Sequence, residues 1–190
     1  VVLEGLDVAY DKMFEAYKKI FDRIGLDYRI VRASTGAMGG LLSEEFQAVT
    51  DIGEDILVLC DKCGLSTNIE ICECKEFEKI DEEEKEYSLL HTPNMRGIDE
   101  IVENIGVDIK RTVKTLIYKS EDKFYAVLVR GDREVNELKL ARALGVSSIE
   151  LSSLEEDMEI TGAEVGFAGP VGLSVPIVVD LEVSGMKNFM

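Results

Sequence analysis

The chain has 190 residues, of which 46% are hydrophobic and 31% are charged, a balance typical of a soluble globular protein with one large or two small domains. It contains no run of about eighteen apolar residues and no basic leader followed by an apolar stretch, so the sequence predicts neither a membrane span nor a secretory signal. We therefore expect a cytoplasmic protein. The formal net charge of -17 argues against a general nucleic-acid binder, DNA-binding proteins included, because contacts to phosphates need cations.

The first third of the chain has the pattern of a helix followed by short strands. Between Leu6 and Ile24, apolar residues recur at spacings of three and four, and Gly25 follows them, which predicts an amphipathic helix that ends at this glycine. Three runs with strand composition come next, at residues 28–33, 45–50 and 56–60. We expect a small antiparallel sheet packed under the helix.

Four cysteines form two close pairs at the end of this region. Cys60 and Cys63 have the two-residue spacing of a zinc knuckle, whereas a single residue separates Cys72 from Cys74. The tight second pair and the short interval between the pairs favour free thiols, which are the usual state in a reducing compartment. We expect no bound metal, and a zinc ion held by these four cysteines is the alternative.

A segment rich in Glu and Lys, residues 75–87, has too few apolar residues to build a core and predicts a linker or a solvated edge. We place a domain boundary there, between a first segment, residues 1–75, and a second segment, residues 76–190.

The second segment mixes helix and strand patterns. Helices are predicted at residues 98–105 and 136–144, each followed by a glycine, and a helical turn at residues 154–158. Strands are predicted at residues 113–118, 124–129 and 148–151, and the first two form a hairpin. This irregular order indicates an α+β domain with a mixed sheet.

One part of the second segment departs from the acidic average of the chain. Nine basic and five acidic residues lie between Lys110 and Arg142, which gives this stretch, the basic window, a local charge of +4. A polyanion would have to dock here. The alternative is a solvated surface of mixed charge.

A glycine-rich corner, residues 166–170, lies between two apolar runs near the end of the chain. Gly166 and Gly169 permit conformations and close approaches that a Cβ forbids, and Pro170 fixes one φ angle. The backbone amides of such a corner open toward a cleft where a ligand can bind, and an ordinary loop is the alternative.

Few other polar residues are candidates for a site. His91 is the single histidine and has no serine-nucleophile motif to accompany it, so a Ser/His/Asp triad is discounted. Thr92, Lys114 and Asp180 lie on or beside apolar strands or turns. Each has a structural alternative: a turn before a proline, a lysine that extends from a strand to solvent, and a strand end.

Taken together, these motifs resemble a known family, the insertion (editing) domain of bacterial-type prolyl-tRNA synthetase. The resemblance is carried, in order along the chain, by His91-Thr92-Pro93-Asn94, Val113-Lys114-Thr115-Leu116, residues 127–132 with Asn136-Glu137, residues 162–172 and residues 176–180. The part of the class II catalytic core that leads into the insertion is similar to residues 9–14, 39–46 and 68–70. The resemblance therefore spans nearly the whole chain.

The resemblance implies a fragment whose editing domain hydrolyses alanyl-tRNA formed on proline tRNA, with the tRNA acceptor end as partner and alanine as the misacylated amino acid. Editing in the family needs no cofactor. Ligation of proline, which uses ATP and Mg²⁺, and homodimer formation belong to the full-length enzyme, so ligation is not expected from this fragment.

The resemblance also implies roles for single residues. Lys114 corresponds to the lysine that handles the tRNA end, and the corner with Gly166, Gly169 and Pro170 corresponds to the loop that shapes the pocket. Thr92 and Asp180 correspond to other editing-site positions. The family continues beyond Met190 to a histidine of the same site. Within the basic window, contacts to tRNA are expected from Lys110, Arg111, Lys114 and Arg130.

Two interpretations from other classes stay open. One is a non-catalytic tRNA-binding module, which would bind tRNA without turnover. The other is an interaction domain stabilised by zinc at Cys60, Cys63, Cys72 and Cys74, which would bind stoichiometric zinc and lose its fold on chelation.

Overall fold

The computed structural model describes residues 3–35, 43–74, 77, 79–93, 95–164 and 166–190. Parts of four predicted motifs lie outside the described residues, namely residues 39–42, residues 75, 76 and 78, Asn94, and Val165. The chain forms two compact units, residues 1–73 and residues 74–190. Each unit contains one four-stranded mixed sheet, and the α+β class expected from the sequence is confirmed. Within the described ranges, no helix is both long and apolar enough to cross a membrane.

The first unit begins with a long amphipathic helix, α1 (Leu3–Ile24), which ends as predicted at Gly25, where φ is 73°. Glycine adopts this left-handed conformation without the steric penalty of a Cβ. One face of α1 packs aromatic rings on the sheet. The Phe46 ring centroid lies 5.3 Å from that of Phe14, 5.5 Å from that of Tyr17 and 5.7 Å from that of Phe21. The helix therefore covers one face of the sheet, as its apolar spacing predicts.

The sheet of the first unit has the strand order β2-β1-β4-β3. Its strands are β1 (Tyr28–Arg32), β2 (Glu44–Ala48), β3 (Leu57–Leu59) and β4 (Ser66–Asn68). The pairs β1–β2 and β3–β4 are antiparallel, but β1 and β4 pair in parallel through Arg32 and Thr67. The expectation of a wholly antiparallel sheet was wrong because the sequence analysis missed β4, whose three polar residues carry no apolar alternation.

The second unit has a sheet of order β7-β5-β6-β8, in which β5 is antiparallel to β6 and β7, and β8 is parallel to β6. The strands are β5 (Val113–Ser120), β6 (Lys123–Arg130), β7 (Glu150–Leu151) and β8 (Ile177–Val179). The helices are α2 (Ile98–Ile105), α3 (Glu137–Leu144), α4 (Leu154–Thr161) and α5 (Leu181–Ser184). The predicted hairpin and the glycine ends of α2 and α3 are confirmed, whereas α5 was not predicted.

The core of the second unit lies where α3 packs on the β5–β6 hairpin. Side chains alternate along these strands, so Ile117 and Ala126 face away from α3, yet they too are almost fully buried. Both faces of the hairpin are therefore covered. The cluster on the α3 side consists of Tyr118, Val127, Leu140 and Ile149.

Residues 80–85, within the predicted linker, are hydrogen-bonded to the rest of the second unit. Arg111 forms a bidentate ion pair with Glu82, at N–O distances of 2.7 and 2.8 Å. The Ile80 amide donates to the Gly185 carbonyl at 3.0 Å, and the Lys85 amide donates to the side-chain oxygen of Asn188 at 2.7 Å. This stretch therefore lies along an edge of the second unit.

Candidate functional site

The sheet of the second unit brings Lys114 and Asp180 to the same end. Lys114 on β5 is the register partner of Val129 on β6. The preceding residue of β6, Leu128, pairs with Val179 on β8, and its carbonyl accepts a hydrogen bond from the Asp180 amide at 3.0 Å. Since neighbouring strands lie about 4.8 Å apart, the two backbones are roughly 10 Å apart, with β6 between them. Two of the predicted site residues thus share one end of the sheet.

Lys114 forms an ion pair with Glu134, a glutamate whose side chain is exposed to solvent. Its Nζ atom is 2.7 Å from Oε1 of Glu134, and the lysine side chain is 21% exposed whereas the glutamate side chain is 88% exposed. Most of the lysine side chain is thus covered by its neighbours, and its ammonium group reaches the surface. Exposed ion pairs contribute little free energy, so a phosphate can replace this carboxylate at small cost.

Asp180 joins β8 to α5. Its carboxylate accepts a hydrogen bond from the Glu182 amide at 2.9 Å and caps the helix. The Glu182 side chain, which is 11% exposed, forms ion pairs with Arg130 and, at 3.1 Å, with Arg133. Arg130 also donates to Asp132 at 2.8 Å. These contacts fix the end of β6 against the turn that carries Asp180.

Most of the basic window is paired with carboxylates. The hydrogen bonds from Arg111 lower the pKa of Glu82, and the hydrogen bond from Lys119 lowers the pKa of Glu156. Lys110 is exposed and forms no ion pair within the part of the chain that the structure describes. The positive charge available to a polyanion is therefore smaller than the composition of the window indicates. The five paired bases are Arg111, Lys114, Lys119, Arg130 and Arg133.

The glycine corner contains two glycines in different situations. Gly166 has φ 93°, and a Cβ there would lie 2.7 Å from the carbonyl oxygen of Arg96, so no other residue fits without strain. A Cβ on Gly169 would meet no described atom within 4 Å. The Phe167 amide closes the turn by donating to the Glu164 carbonyl at 3.0 Å. Among hydrogen bonds between described residues, none uses the amides of Ala168 or Gly169.

Arg96, which the sequence analysis missed, joins this corner to the loop that contains Thr92. Its guanidinium donates to Glu164 at 2.7 Å and lies 5.8 Å from the centroid of the Phe167 ring. Its backbone amide donates to Glu100 in the first turn of α2 at 2.6 Å. Thr92 is half-buried in the same loop, and its carbonyl accepts a hydrogen bond from the Met95 amide at 3.4 Å. Thr92 thus lies in the same loop as Arg96, whose side chain contacts Glu164 and Phe167.

The cysteines of the first unit lie at opposite ends of the β3–β4 hairpin. Cys60 and Cys63 are in its turn, where the Cys60 carbonyl accepts from the Gly64 amide at 2.9 Å, and hydrogen bonds from Cys63 lower the pKa of the Cys60 thiol. Cys72 follows the far end of β4, where its amide donates to the Asn68 carbonyl. Within the described residues, no group of three His, Cys, Asp or Glu side chains is placed to hold a metal ion.

Two open clefts of about 310 and 430 Å³ lie at the same hairpin turn of the first unit. Leu65, Ser66 and Gly64 line both of them. The residues that line these clefts include none of those predicted for the editing site, so the clefts and the glycine corner are separate features of the chain.

Residues 92–190 match the family described as the aminoacyl-tRNA editing domain, and this match covers more than half of the chain. The matched range contains Thr92, the basic window, the glycine corner and Asp180.

The whole chain is similar to proline–tRNA ligases. It is 52% identical to the ligase of Caldicellulosiruptor bescii over 188 residues, and 43% identical to that of Geobacter metallireducens over 187 residues. Both alignments cover 98% of this chain and 33% of the relative, so the chain spans about a third of the length of these ligases. A solved structure of a candidate trans-editing enzyme for prolyl tRNA synthetase is 26% identical, with a TM-score of 0.45 over 50% of this chain and 61% of the other.

Proposed function

Because the chain belongs to the aminoacyl-tRNA editing domain family, we propose that its second unit hydrolyses alanine from mischarged proline tRNA. The observation that carries this proposal is that the family match contains every predicted editing residue, in a chain 52% identical to a proline–tRNA ligase. A ligase site shaped for proline rejects a smaller amino acid weakly, because each missing methylene changes the binding free energy by only about 1–3 kcal/mol. A separate hydrolytic pocket that excludes proline by size then restores accuracy.

In this proposal Lys114 holds the phosphates at the tRNA end. A phosphate displaces the exposed carboxylate of Glu134 and forms the ion pair with the Lys114 ammonium group in its place. Lys110, which is exposed, adds a second contact. Arg111 and Arg130 contribute to the potential around the acceptor end, although carboxylates neutralise part of their charge.

The glycine corner supplies the chemistry in the same proposal. A water molecule attacks the ester carbonyl, and the amides of Ala168 and Gly169 donate hydrogen bonds to the oxyanion that forms. The second hydroxyl of the terminal ribose orients the water. The ester C–O bond then breaks, the ribose oxygen takes up one of the two protons of the water, and alanine leaves as its carboxylate after the other proton passes to solvent.

The remaining predicted residues shape the pocket. Pro170 stiffens the corner, and Gly166 allows it to lie against the Arg96 backbone. Asp180 caps α5 and fixes the turn at the end of β8. Thr92 lines the pocket from the loop that contains Arg96, against which the corner packs. Alanine fits into this space, and proline is too large to enter.

The activities of the longer ligases are a separate proposal. Since the chain spans about a third of those relatives, we assign ligation of proline with ATP and Mg²⁺, together with dimer formation, to the protein of full length. Editing by the second unit requires neither ATP nor a metal ion in this scheme.

The test is to charge proline tRNA with alanine or with proline and measure hydrolysis by this chain and by a version extended past Met190. We expect release of alanine and no release of proline. Lys114→Ala should slow alanine release on the order of a hundredfold, because misplacing a reacting group by about 1 Å costs that much. Lys12→Ala, an exposed lysine of α1, is the matched control and should leave the rate unchanged.

A variant that fills the pocket tests the role of the pocket independently of the phosphate contact made by Lys114. Gly169→Val adds a side chain where a Cβ meets open space, so the domain should keep its circular dichroism spectrum while alanine release is lost. Absence of alanine release in both versions of the parent protein would refute the enzymatic proposal. Retained binding of tRNA in that case would identify a non-catalytic binding module.

A further inference from the structure

Three contacts from one residue surround the glycine corner. The Arg96 guanidinium pairs with Glu164 at 2.7 Å on one side of Gly166 and lies over the Phe167 ring at 5.8 Å on the other. Between these two contacts, the Arg96 carbonyl oxygen lies 2.7 Å from the position that a Cβ on Gly166 would occupy. The guanidinium and the carbonyl of Arg96 therefore lie against Glu164, Gly166 and Phe167.

From this geometry we infer that Arg96 is a positioning residue that sets the size selectivity of the editing pocket. The inference rests on the proposed function. Arg96 itself touches no reacting atom. It acts by fixing the distance between the corner and the loop that contains Thr92, and this distance limits how large an aminoacyl group enters.

The contacts explain why arginine suits this task. The planar guanidinium donates to a carboxylate and at the same time stacks over an aromatic ring, which the ammonium group of a lysine does less well. The amide of Arg96 is tied to Glu100 at the start of α2, so the residue that holds the corner is itself held by a helix. Arg96 thereby links the corner, which forms neither helix nor strand, to the first turn of α2.

The same contacts predict that a variant stays folded. The side chains of Arg96 and Glu164 are 68% and 62% exposed, and ion pairs of this kind contribute little to global stability. Removing the guanidinium frees the corner locally and leaves the core of the second unit intact. The consequence should appear in selectivity before it appears in folding.

The experiment compares Arg96→Ala, Arg96→Lys and Glu164→Gln with the parent protein on alanyl- and prolyl-tRNA. Arg23→Ala, an exposed arginine at the end of α1, is the matched control. For Arg96→Ala we expect the ratio of alanine to proline release to fall about tenfold, through faster proline release and a lower kcat on alanine. KM for tRNA should be unchanged because Lys114 still holds the phosphates. Arg96→Lys should recover part of the ratio, and thermal unfolding should match the parent.

A second measurement reports on the corner without any activity. The chain contains no tryptophan, so Phe167→Trp introduces a single tryptophan, whose fluorescence can be excited selectively, at the residue that Arg96 covers. Adding Arg96→Ala should raise the acrylamide quenching constant about twofold, because the ring loses its covering guanidinium. Adding Arg23→Ala should leave the quenching constant unchanged.

The outcomes distinguish the two proposals. If the parent protein releases alanine and Arg96→Ala leaves the selectivity ratio unchanged, the role of Arg96 is refuted and the proposed function stands. If the parent protein releases no alanine, the proposed function is refuted and the selectivity role of Arg96 falls with it. Equal quenching in the Arg96→Ala and Arg23→Ala proteins refutes the contact with the corner itself.

Discussion

The two units bury apolar surface to very different degrees. In the first unit, Val31 and Ala33 are the buried hydrophobic residues among those described, whereas nine are buried in the second. The first unit instead relies on aromatic rings between α1 and its sheet, and along α1 apolar side chains such as Met13 and Ile24 are 54% and 67% exposed. The nine of the second unit are Ile117, Tyr118, Ala126, Val127, Leu128, Val129, Leu140, Ile149 and Val183.

The difference indicates which unit has the larger apolar core. Burial of apolar area is the main favourable term in folding, so we expect the unit with the larger core to fold by itself. In the first unit β3 and β4 have three residues each, and a single residue pair joins β4 to β1. The candidate editing residues therefore lie in the unit whose fold is better supported.

Separation of the two units should produce the largest effect. We predict that trypsin first cleaves within the predicted linker, at Lys75 or Lys79, since the Lys85 amide is hydrogen-bonded to Asn188. The piece that begins near Ile80 should stay folded, whereas the piece that ends near Cys74 should lose its structure. Mass spectrometry and circular dichroism of the separated pieces check this. First cleavage inside residues 113–129, or a stably folded first piece, would contradict it.

Core truncation should have the next largest effect. Ile117 is 2% exposed, so Ile117→Ala should lower the free energy of unfolding of the second unit by about 2–5 kcal/mol, through lost burial and the cavity that remains. Leu151→Ala, at a side chain 54% exposed on the same sheet, is the control and should change the free energy by less than about 0.5 kcal/mol. Urea unfolding of both variants checks the difference, and similar midpoints would mean that the sheet does not form the core.

Local patterns made the regular elements predictable. The apolar spacing of α1 and the glycines at positions 25, 106 and 145 act within one turn of the chain, and each ends a helix where expected. The β5–β6 hairpin is likewise a local feature with a tight turn at Glu121, where φ is 54°. In contrast, the three residues of β4 form a strand because β3 and β1 pair with them, and their own composition gives no indication of it.

Long-range contacts made parts of the site unpredictable. The family motifs indicated Thr92, Lys114, Asp180 and the glycine corner, but Arg96 is linked to the corner by a glutamate 68 positions further along the chain. Part of the pairing of the basic window has the same cause, since Glu82 lies 29 positions from Arg111, and Glu182, one of the two partners of Arg130, lies 52 positions from it. Net charge can be counted from a sequence, whereas the pairing of those charges depends on the fold.

Acid should lower the free energy of unfolding of the second unit. Hydrogen bonds from Arg111, Arg130 and Lys119 lower the pKa of Glu82, Asp132 and Glu156, all in the second unit. A carboxylate with a lowered folded pKa stabilises the fold fully above its unfolded pKa, near 4, and that contribution is lost as pH falls through the folded pKa. The second unit should therefore lose stability below about pH 4.

The variant Glu82→Gln tests the source of this loss. It should reduce the drop in urea midpoint between pH 7 and pH 3 for the isolated second unit, because one of the carboxylates with a lowered pKa no longer titrates. Glu86→Gln changes an exposed glutamate of the same segment and serves as the control. The prediction fails if the two variants show the same pH dependence as the parent.

Removal of zinc should produce the smallest effect. A bound structural metal would stabilise the first unit, which has the smaller apolar core, and could make it the more stable of the two units. The β3–β4 register argues against it. Leu59 pairs with Ser66 beside the turn that holds Cys60 and Cys63, whereas Leu57 pairs with Asn68 at the end near Cys72. A tetrahedral site needs its thiolates within about 2.3 Å of one ion, and the length of the hairpin separates them by more than that allows.

We therefore predict well under one zinc per chain in protein purified without chelator, and an unchanged thermal midpoint on chelation. A full equivalent of zinc that is lost in Cys60→Ser, while Cys74→Ser retains it, would show that the hairpin turn binds the metal and that the first unit depends on it.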